Sequence, residues 1–190
     1  MIQNKTDPWP SSFSAWYAVI VLVIAYTFSF ADRMILSLLI EPIKKDFSLS
    51  DTEISLLHGL AFAIFYTLMG IPIGRLVDTS SRRRIIAAGI CIWSIMTAFC
   101  GLARGFWELF FSRVGVGVGE AALSPAAYSL ITDIFRPNKL SRALAVYSAG
   151  AFIGAGLAFI IGGGVISLVA STPELSFPII GTIKSWQLSF

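Results

Sequence analysis

Residues 1–190 predict an all-α membrane protein with five transmembrane helices and the start of a sixth, and three observations carry that prediction. Apolar residues make up 56% of the chain and charged residues 13%, about half the charge that a water-exposed domain uses to wet its surface. Five stretches of about 20 residues are free or nearly free of charge, each long enough to cross a hydrocarbon layer of about 30 Å as a helix. The basic residues collect in the gaps between them, mainly on one side. A net charge of +3 and two cysteines also exclude a disordered chain, a basic nucleic-acid-binding arm and a disulfide-stapled secreted module.

Residues 1–13 read as a polar tail. It carries Lys5 and Asp7 instead of a basic leader, and the apolar run after it is too long for a leader core, so the first helix is expected to remain in place. No charge occurs from Pro8 to Ala31, and the apolar pattern resumes after Asp32 and Arg33 as far as Ile40, which predicts a helix over residues 14–40. The second helix, 54–77, is announced by Ser50-Asp51-Thr52-Glu53, a capping-box spacing that satisfies the free backbone donors of a first turn. Residues 85–103 form the third and 105–135 the fourth, the latter interrupted by Arg113 and Glu120. The fifth covers 143–170, so that residues 14–170 make a five-helix bundle. Ser171-Thr172-Pro173-Glu174 is a turn-like break, and 171–190 are expected to hold an extracytoplasmic loop and the start of helix six.

Lysine and arginine set the direction. One face collects Lys5, Arg75, Arg82, Arg83, Arg84, Arg136, Lys139 and Arg142, against Lys44, Lys45, Arg104 and Lys184 on the other. The basic face stays in the cytoplasm, which places the N-terminus inside.

Two basic residues, Arg33 and Arg113, fall well inside predicted helices, away from their ends, as do the acidic Asp32 and Glu120. An ionisable group at the centre of a membrane helix costs at least about 2.5 to 3.5 kcal/mol, so it faces a partner or a water-filled cavity. All four lie on helices one and four. Arg113 and Glu120 are seven residues apart, on nearly one face and about 10 Å apart along the axis. Opposite chain directions bring Asp32 and Arg113 to one depth, so a charge pair is expected between them, with Glu120 deeper. Arg33 points about 100° away from Asp32 and is free to snorkel to the outer interface. The four charges either mark a substrate and ion path or form a network that only fixes packing.

Gly115 and Gly119, four apart, and Gly150 and Gly154 in helix five give rows along which helix backbones approach closely. Pro125 removes one backbone hydrogen bond and is expected to bend helix four. His58 reads as an interfacial hydrogen bonder, with a proton relay as the alternative. Cys91 and Cys100 face opposite sides of one helix and read as small core residues. Trp93, Trp107 and Trp186 read as interface or packing aromatics. No metal-ligand spacing, nucleotide loop or nucleophile–base arrangement is visible, so neither metal, cofactor nor enzymatic activity is expected.

The run from Gly74 to Arg84 resembles the signature cytoplasmic loop of the major facilitator superfamily, where a glycine is followed four residues on by an aspartate and then by a basic pair. Gly74, Asp78, Arg82 and Arg83 match; Thr79 and Ser81 stand where the pattern usually has arginine and glycine. Arg113, Gly117 and Gly119 resemble the superfamily's second motif, whose arginine is associated with proton coupling. Gly150 to Gly163 resembles its glycine-rich fifth-helix motif, with Ala155 in place of the usual proline. Phe30-Ala31-Asp32-Arg33, Gly117 to Ala121, Ser124-Pro125-Ala126 and Asp133-Ile134-Phe135 are most similar to the spinster-like lipid transporters. The anion:cation symporters for sugar acids share the Asp32–Arg33 pair and a helix-four glutamate, and stand as the alternative.

The resemblance implies the N-terminal half of a twelve-helix fold in which helices one and four line a central cavity and six more helices follow. It implies a multi-pass transporter of the inner or plasma membrane that works by alternating access, coupled to protons, on an amphipathic or anionic solute such as a lysolipid. Asp32 and Glu120 would bind protons, Arg113 would tune them or hold an anionic head group, and Arg33 would share the substrate cavity. The loop with Gly74, Asp78, Arg82 and Arg83 would gate the cytoplasmic side. The implied partners are the solute, protons, the bilayer and the C-terminal half, without nucleic acid. A half-transporter or non-transporting membrane component, and a facilitator without ion coupling, remain as other classes.

Overall fold

The computed structural model describes residues 9–170, 175–177 and 181–190, with side chains described for 9–164 and 184–190. Most of the N-terminal tail, including Lys5 and Asp7, and the Pro173-Glu174 break lie outside the described residues.

Helix α1 covers Ser12–Leu38, with Ser11 as N-cap accepting from the Ser14 N–H at 3.2 Å. Its buried residues Ala15, Val19, Leu22, Ser29 and Leu36 are spaced by three, four or seven positions, one or two helical turns, and mark one stripe. The helix stops short of Ile40. A break at Leu39 starts a separate amphipathic helix, α2 (Ile40–Phe47), with Glu41 in its first turn and Lys44 and Lys45 in its last, where each suits the helix dipole. It closes on Ser48 in the left-handed conformation, φ 51°.

The second span starts with α3 (Asp51–Ser55), held by the capping box: Ser50 Oγ accepts from the Glu53 N–H, and Glu53 accepts from the Ser50 N–H. A single π turn, Leu56–Leu60, joins it to α4 (Ala61–Thr79), which contains Pro72. The link to α5 (Arg82–Leu102) is Ser80 and Ser81 alone. The sequence expectation of helices over 54–77 and 85–103 is therefore too short. Charged and small polar residues outside the hydrocarbon continue a helix readily, so charge marks the edge of the membrane and not the end of the helix. The fifth span, α8 (Pro137–Ala170), likewise starts six residues before the expected 143, with proline at its first position, where a missing N–H costs nothing.

The fourth span is two helices, α6 (Phe106–Glu120) and α7 (Leu123–Ile134), separated by Ala121 and Ala122. Pro125 supplies the reason. It cannot donate to the Ala121 carbonyl and its ring crowds that carbonyl, so the first helix ends there and a second begins with proline in its first turn.

Five stretches are long and apolar enough to cross a membrane: Ser12–Leu38, Asp51–Thr79, Arg82–Leu102, Phe106–Ile134 and Pro137–Gly164. The fourth is 56% buried against 22–33% for the others, which makes it the core of the bundle. Helices α4 and α5 both pack on α6, and α1 packs chiefly on α8. The alternating glycines of α6 serve neighbours on two sides. A Cβ on Gly119 would lie 2.6 Å from the Trp93 nitrogen and one on Gly115 2.5 Å from Met96, both on α5, whereas one on Gly117 would meet the Phe62 carbonyl of α4 at 2.8 Å. Gly150 and Gly154 on α8 leave the same room for the backbone of α1 at Val23 and Thr27, and Thr27 Oγ1 donates to the Gly150 carbonyl at 3.2 Å.

Beyond α8, strands β1 (Leu175–Phe177) and β2 (Gly181–Ile183) pair antiparallel, and a 3₁₀ turn, Ser185–Ser189, stands where helix six is expected to start. This turn is clasped to α2. Trp186 Nε1 donates to Asp46 Oδ2 at 3.0 Å, Lys184 pairs with Asp46, and the Trp186 ring meets Phe47 edge-on. Gln187 Nε2 donates to the Ala103 carbonyl at 2.8 Å. Of the cysteines, Cys100 is buried and Cys91 is exposed, so only the first is a core residue.

Candidate functional site

From α1, two consecutive charges that point in different directions reach two partners on α6 about two turns apart. Asp32 Oδ2 lies 3.6 Å from Arg113 Nη1 and accepts from Thr97 Oγ1 of α5 at 3.2 Å. Arg33 turns the other way, with Nη2 2.5 Å and Nε 2.6 Å from Glu120 Oε2. Of the two places open to Arg33, the outer interface and the interior, its guanidinium takes the interior. Three rings hold it there, Phe62 at 4.5 Å and Phe30 and Tyr66 at 5.0 Å from its central carbon, an aromatic cradle that favours a cation.

The Glu120 side chain is fully buried and that of Arg113 is 2% exposed. Ser29 Oγ donates to Glu120 Oε2 at 2.6 Å, so one carboxylate oxygen receives Ser29 and Arg33 together. The other oxygen, Glu120 Oε1, has no hydrogen-bond partner among the described residues, and neither do Arg113 Nε and Nη1. Leaving a buried polar group unmatched costs about 1 to 3 kcal/mol, so this quartet is balanced in charge but not in hydrogen bonds. It retains donors and an acceptor for a different arrangement.

Ser29, Thr97, Phe62 and Tyr66 belong to this site and escape the charge-based reading. The available signal for the first two was a hydroxyl within an apolar run, and for Ser29 its spacing of four from Arg33 on one helix face. His58, in the π turn, sits 2.6 Å from Ser37 Oγ through Nε2, tying the second span to the first.

Of the residues expected to gate, Arg82 alone reaches across the bundle: Nη1 lies 2.5 Å from Asp133 Oδ2 and Nε donates to Ser129 Oγ at 2.7 Å, both on α7. Asp78 and Arg83 are exposed, and Gly74 has open space where a Cβ would stand.

The profile of the Major Facilitator Superfamily matches residues 22–190. An MFS-type efflux pump of Mycolicibacterium smegmatis is 37% identical over 153 residues, which are 80% of this chain and 35% of that protein. Protein spinster homolog 1 of Homo sapiens is 32% identical over 76% of this chain and 28% of its own length, and the "Probable L-galactonate transporter" of Escherichia coli is 30% identical over 72% and 30%. The crystal structure of a bacterial homolog of the human lysosomal transporter spinster, inward-facing and occupied, superposes with a TM-score of 0.85 at 37% identity, covering 95% of this chain and 41% of that one. The chain thus spans between a quarter and two fifths of the proteins it resembles. With a family profile over most of its length, five apolar spans and the N-terminal half of a solved spinster fold, this chain belongs to the major facilitator superfamily of multi-pass membrane transporters, on the spinster-like branch.

Proposed function

We propose that this chain supplies the proton-coupling half of a secondary active transporter of the inner or plasma membrane, which moves an amphipathic or anionic solute such as a lysolipid by alternating access. The observation that carries this reading is the crossed pairing of Asp32 with Arg113 and Arg33 with Glu120, in the most buried part of the bundle. Protonating Glu120 would release Arg33 within its aromatic cradle, and protonating Asp32 would release Arg113; each freed guanidinium then presents fixed donors to an anionic head group. The substrate is bound where the counter-ion was, so proton and anion occupancy rise together. The other half of the cavity would come from a C-terminal half of the same polypeptide.

In this reading the arginine-rich end of the bundle, with the Ser80-Ser81 link, faces the cytoplasm. Arg82 holds α5 to α7, and the exposed Asp78 and Arg83 are available to meet the other half as the cavity opens and closes. A sugar-acid symporter is the second reading, supported by the likeness to the L-galactonate transporter. The deciding experiment is uptake by the full-length protein in liposomes, with lysolipid and sugar acid compared under an imposed pH gradient. Gradient-driven lysolipid movement that is lost in both Asp32→Asn and Glu120→Gln is expected. Transport indifferent to pH and to both substitutions refutes the coupling.

A further inference from the structure

Arg82, Arg83 and Arg84 open α5 as three successive cations, and neighbouring helical residues point about 100° apart, so they leave the helix in three directions. Arg82 is occupied by Asp133 and Ser129. Arg84 is exposed and has no ion pair or hydrogen bond among the described residues. It stands at the mouth of a groove of about 570 Å³ between α4 and α5. The groove exists because these two consecutive spans each pack on α6 and hardly on one another, so they diverge and leave α6 as its floor.

Its chemistry is graded. At the mouth, the hydroxyl-bearing Ser80 and Ser81 join Arg84; below it, Leu76 of α4 and Ala88 and Ile92 of α5 form apolar walls. From Arg84 to Ile92 the groove follows α5 for about 12 Å. Arg75 and Arg83 are exposed at the same end, so residues 75–84 present four arginines against one carboxylate, Asp78. None of the four charged residues of the central site lines this groove.

We propose that the α4–α5 groove binds a membrane phospholipid with an anionic head group. The phosphate sits between Arg84 and the two serines, and one acyl chain lies along Leu76, Ala88 and Ile92. A cationic mouth at the end of two spans and an apolar trough running into the hydrocarbon match both ends of such a lipid, whereas a free phosphate would use only the mouth. The lipid is a resident of the fold and not the transported solute, and its binding near the α4–α5 link would steady that link.

The test uses full-length protein in detergent, titrated with dioleoylphosphatidylglycerol or the zwitterionic dioleoylphosphatidylcholine, with bound lipid counted by native mass spectrometry. Preferential retention of phosphatidylglycerol is expected. Arg84→Gln should weaken it about fivefold, Ala88→Trp should weaken it comparably by filling the trough, and Arg75→Gln, outside the lining, should weaken it less than Arg84→Gln. Equal retention of the two lipids, or wild-type binding in both Arg84→Gln and Ala88→Trp, overturns the proposal. A nitroxide on Ala88→Cys, in a Cys91→Ser, Cys100→Ala background, should be reached by dissolved oxygen in nanodiscs. Protection from oxygen there means that another segment of the protein fills the groove, and this also overturns it.

Discussion

Arg33 and Glu120 form the shortest ionic contact between α1 and α6, 2.5 Å, and do so with the guanidinium inside a ring of three aromatic side chains. Removing one partner leaves the other charged and enclosed, which costs about 3 to 5 kcal/mol when the survivor is fully buried. Arg33→Leu, which strands the fully buried Glu120, should therefore destabilise more than Glu120→Leu, which strands an arginine that is 20% exposed. The double variant should recover most of the loss. Thermal stability of the purified full-length protein measures all three, and additive losses would show that the two do not act as a pair.

Asp32 and Arg113 give a second, independent cycle. If their 3.6 Å contact is used in transport, Asp32→Asn and Arg113→Gln lower uptake by similar factors, and the double variant is no worse than either alone. Thr97→Val removes a hydroxyl donor from Asp32 and should produce a smaller loss of the same kind. Multiplying effects would separate the two residues.

Close packing of α6 predicts a contrast between glycines. Gly119→Ala forces a Cβ to 2.6 Å from the Trp93 nitrogen and 2.9 Å from the Gly89 carbonyl, both backbone atoms that give little, and should cost about 1 to 3 kcal/mol. Gly70→Ala, in α4 with nothing within 4 Å of the new atom, should be neutral or stabilising by up to about 1 kcal/mol. Melting temperatures of the two variants read the difference directly.

The clasp of the 3₁₀ turn depends on Asp46, which serves Trp186 and Lys184 at once. Asp46→Ala should speed amide exchange over residues 185–190 by about tenfold, the equivalent of one charge-assisted hydrogen bond. Hydrogen–deuterium exchange on peptides from that segment provides the reading.

At the same end, the Lys44 ammonium bonds to Asp51, and this hydrogen bond together with the carboxylate charge raises the Lys44 pKa above the usual lysine value. A raised lysine contributes stability that is complete below the unfolded pKa and lost as pH climbs through the folded one. Lys44→Gln should therefore leave the pH dependence of melting unchanged between pH 6 and 8, flattening only its alkaline limb.

The spans are legible in the sequence because lipid enforces them: a helix with charges spread along it cannot stay in hydrocarbon, so charge-free runs and spans coincide. Asp32, Arg33, Arg113 and Glu120 are legible for the same reason, as violations. Which charge meets which is a different matter. Asp32 and Arg33 are adjacent, and only the packing rotation of α1 decides that Arg33 faces Glu120 inside the bundle instead of the interface. The separate α2 is masked by its apolar residues, which continue the pattern of α1, but Pro42 in its first turn marks the break: it cannot donate to the Leu38 carbonyl, as Pro125 cannot to that of Ala121. Pro125 also announces a disturbance; that it divides the span in two follows from the donor it withholds from the Ala121 carbonyl.

That division has a mechanical meaning. Glu120 is the last residue of α6, so the buried carboxylate sits at the joint between two rigid rods. The lower rod, α7, has 12 residues and is about 18 Å long; a tilt of roughly 10° at the joint carries its far end by about 3 Å. Arg82 is fastened near that far end, to Ser129 and Asp133. The span thus has its joint at the buried carboxylate and its far end tied to the α4–α5 link, so any tilt at Glu120 would be carried to the opposite end of the bundle.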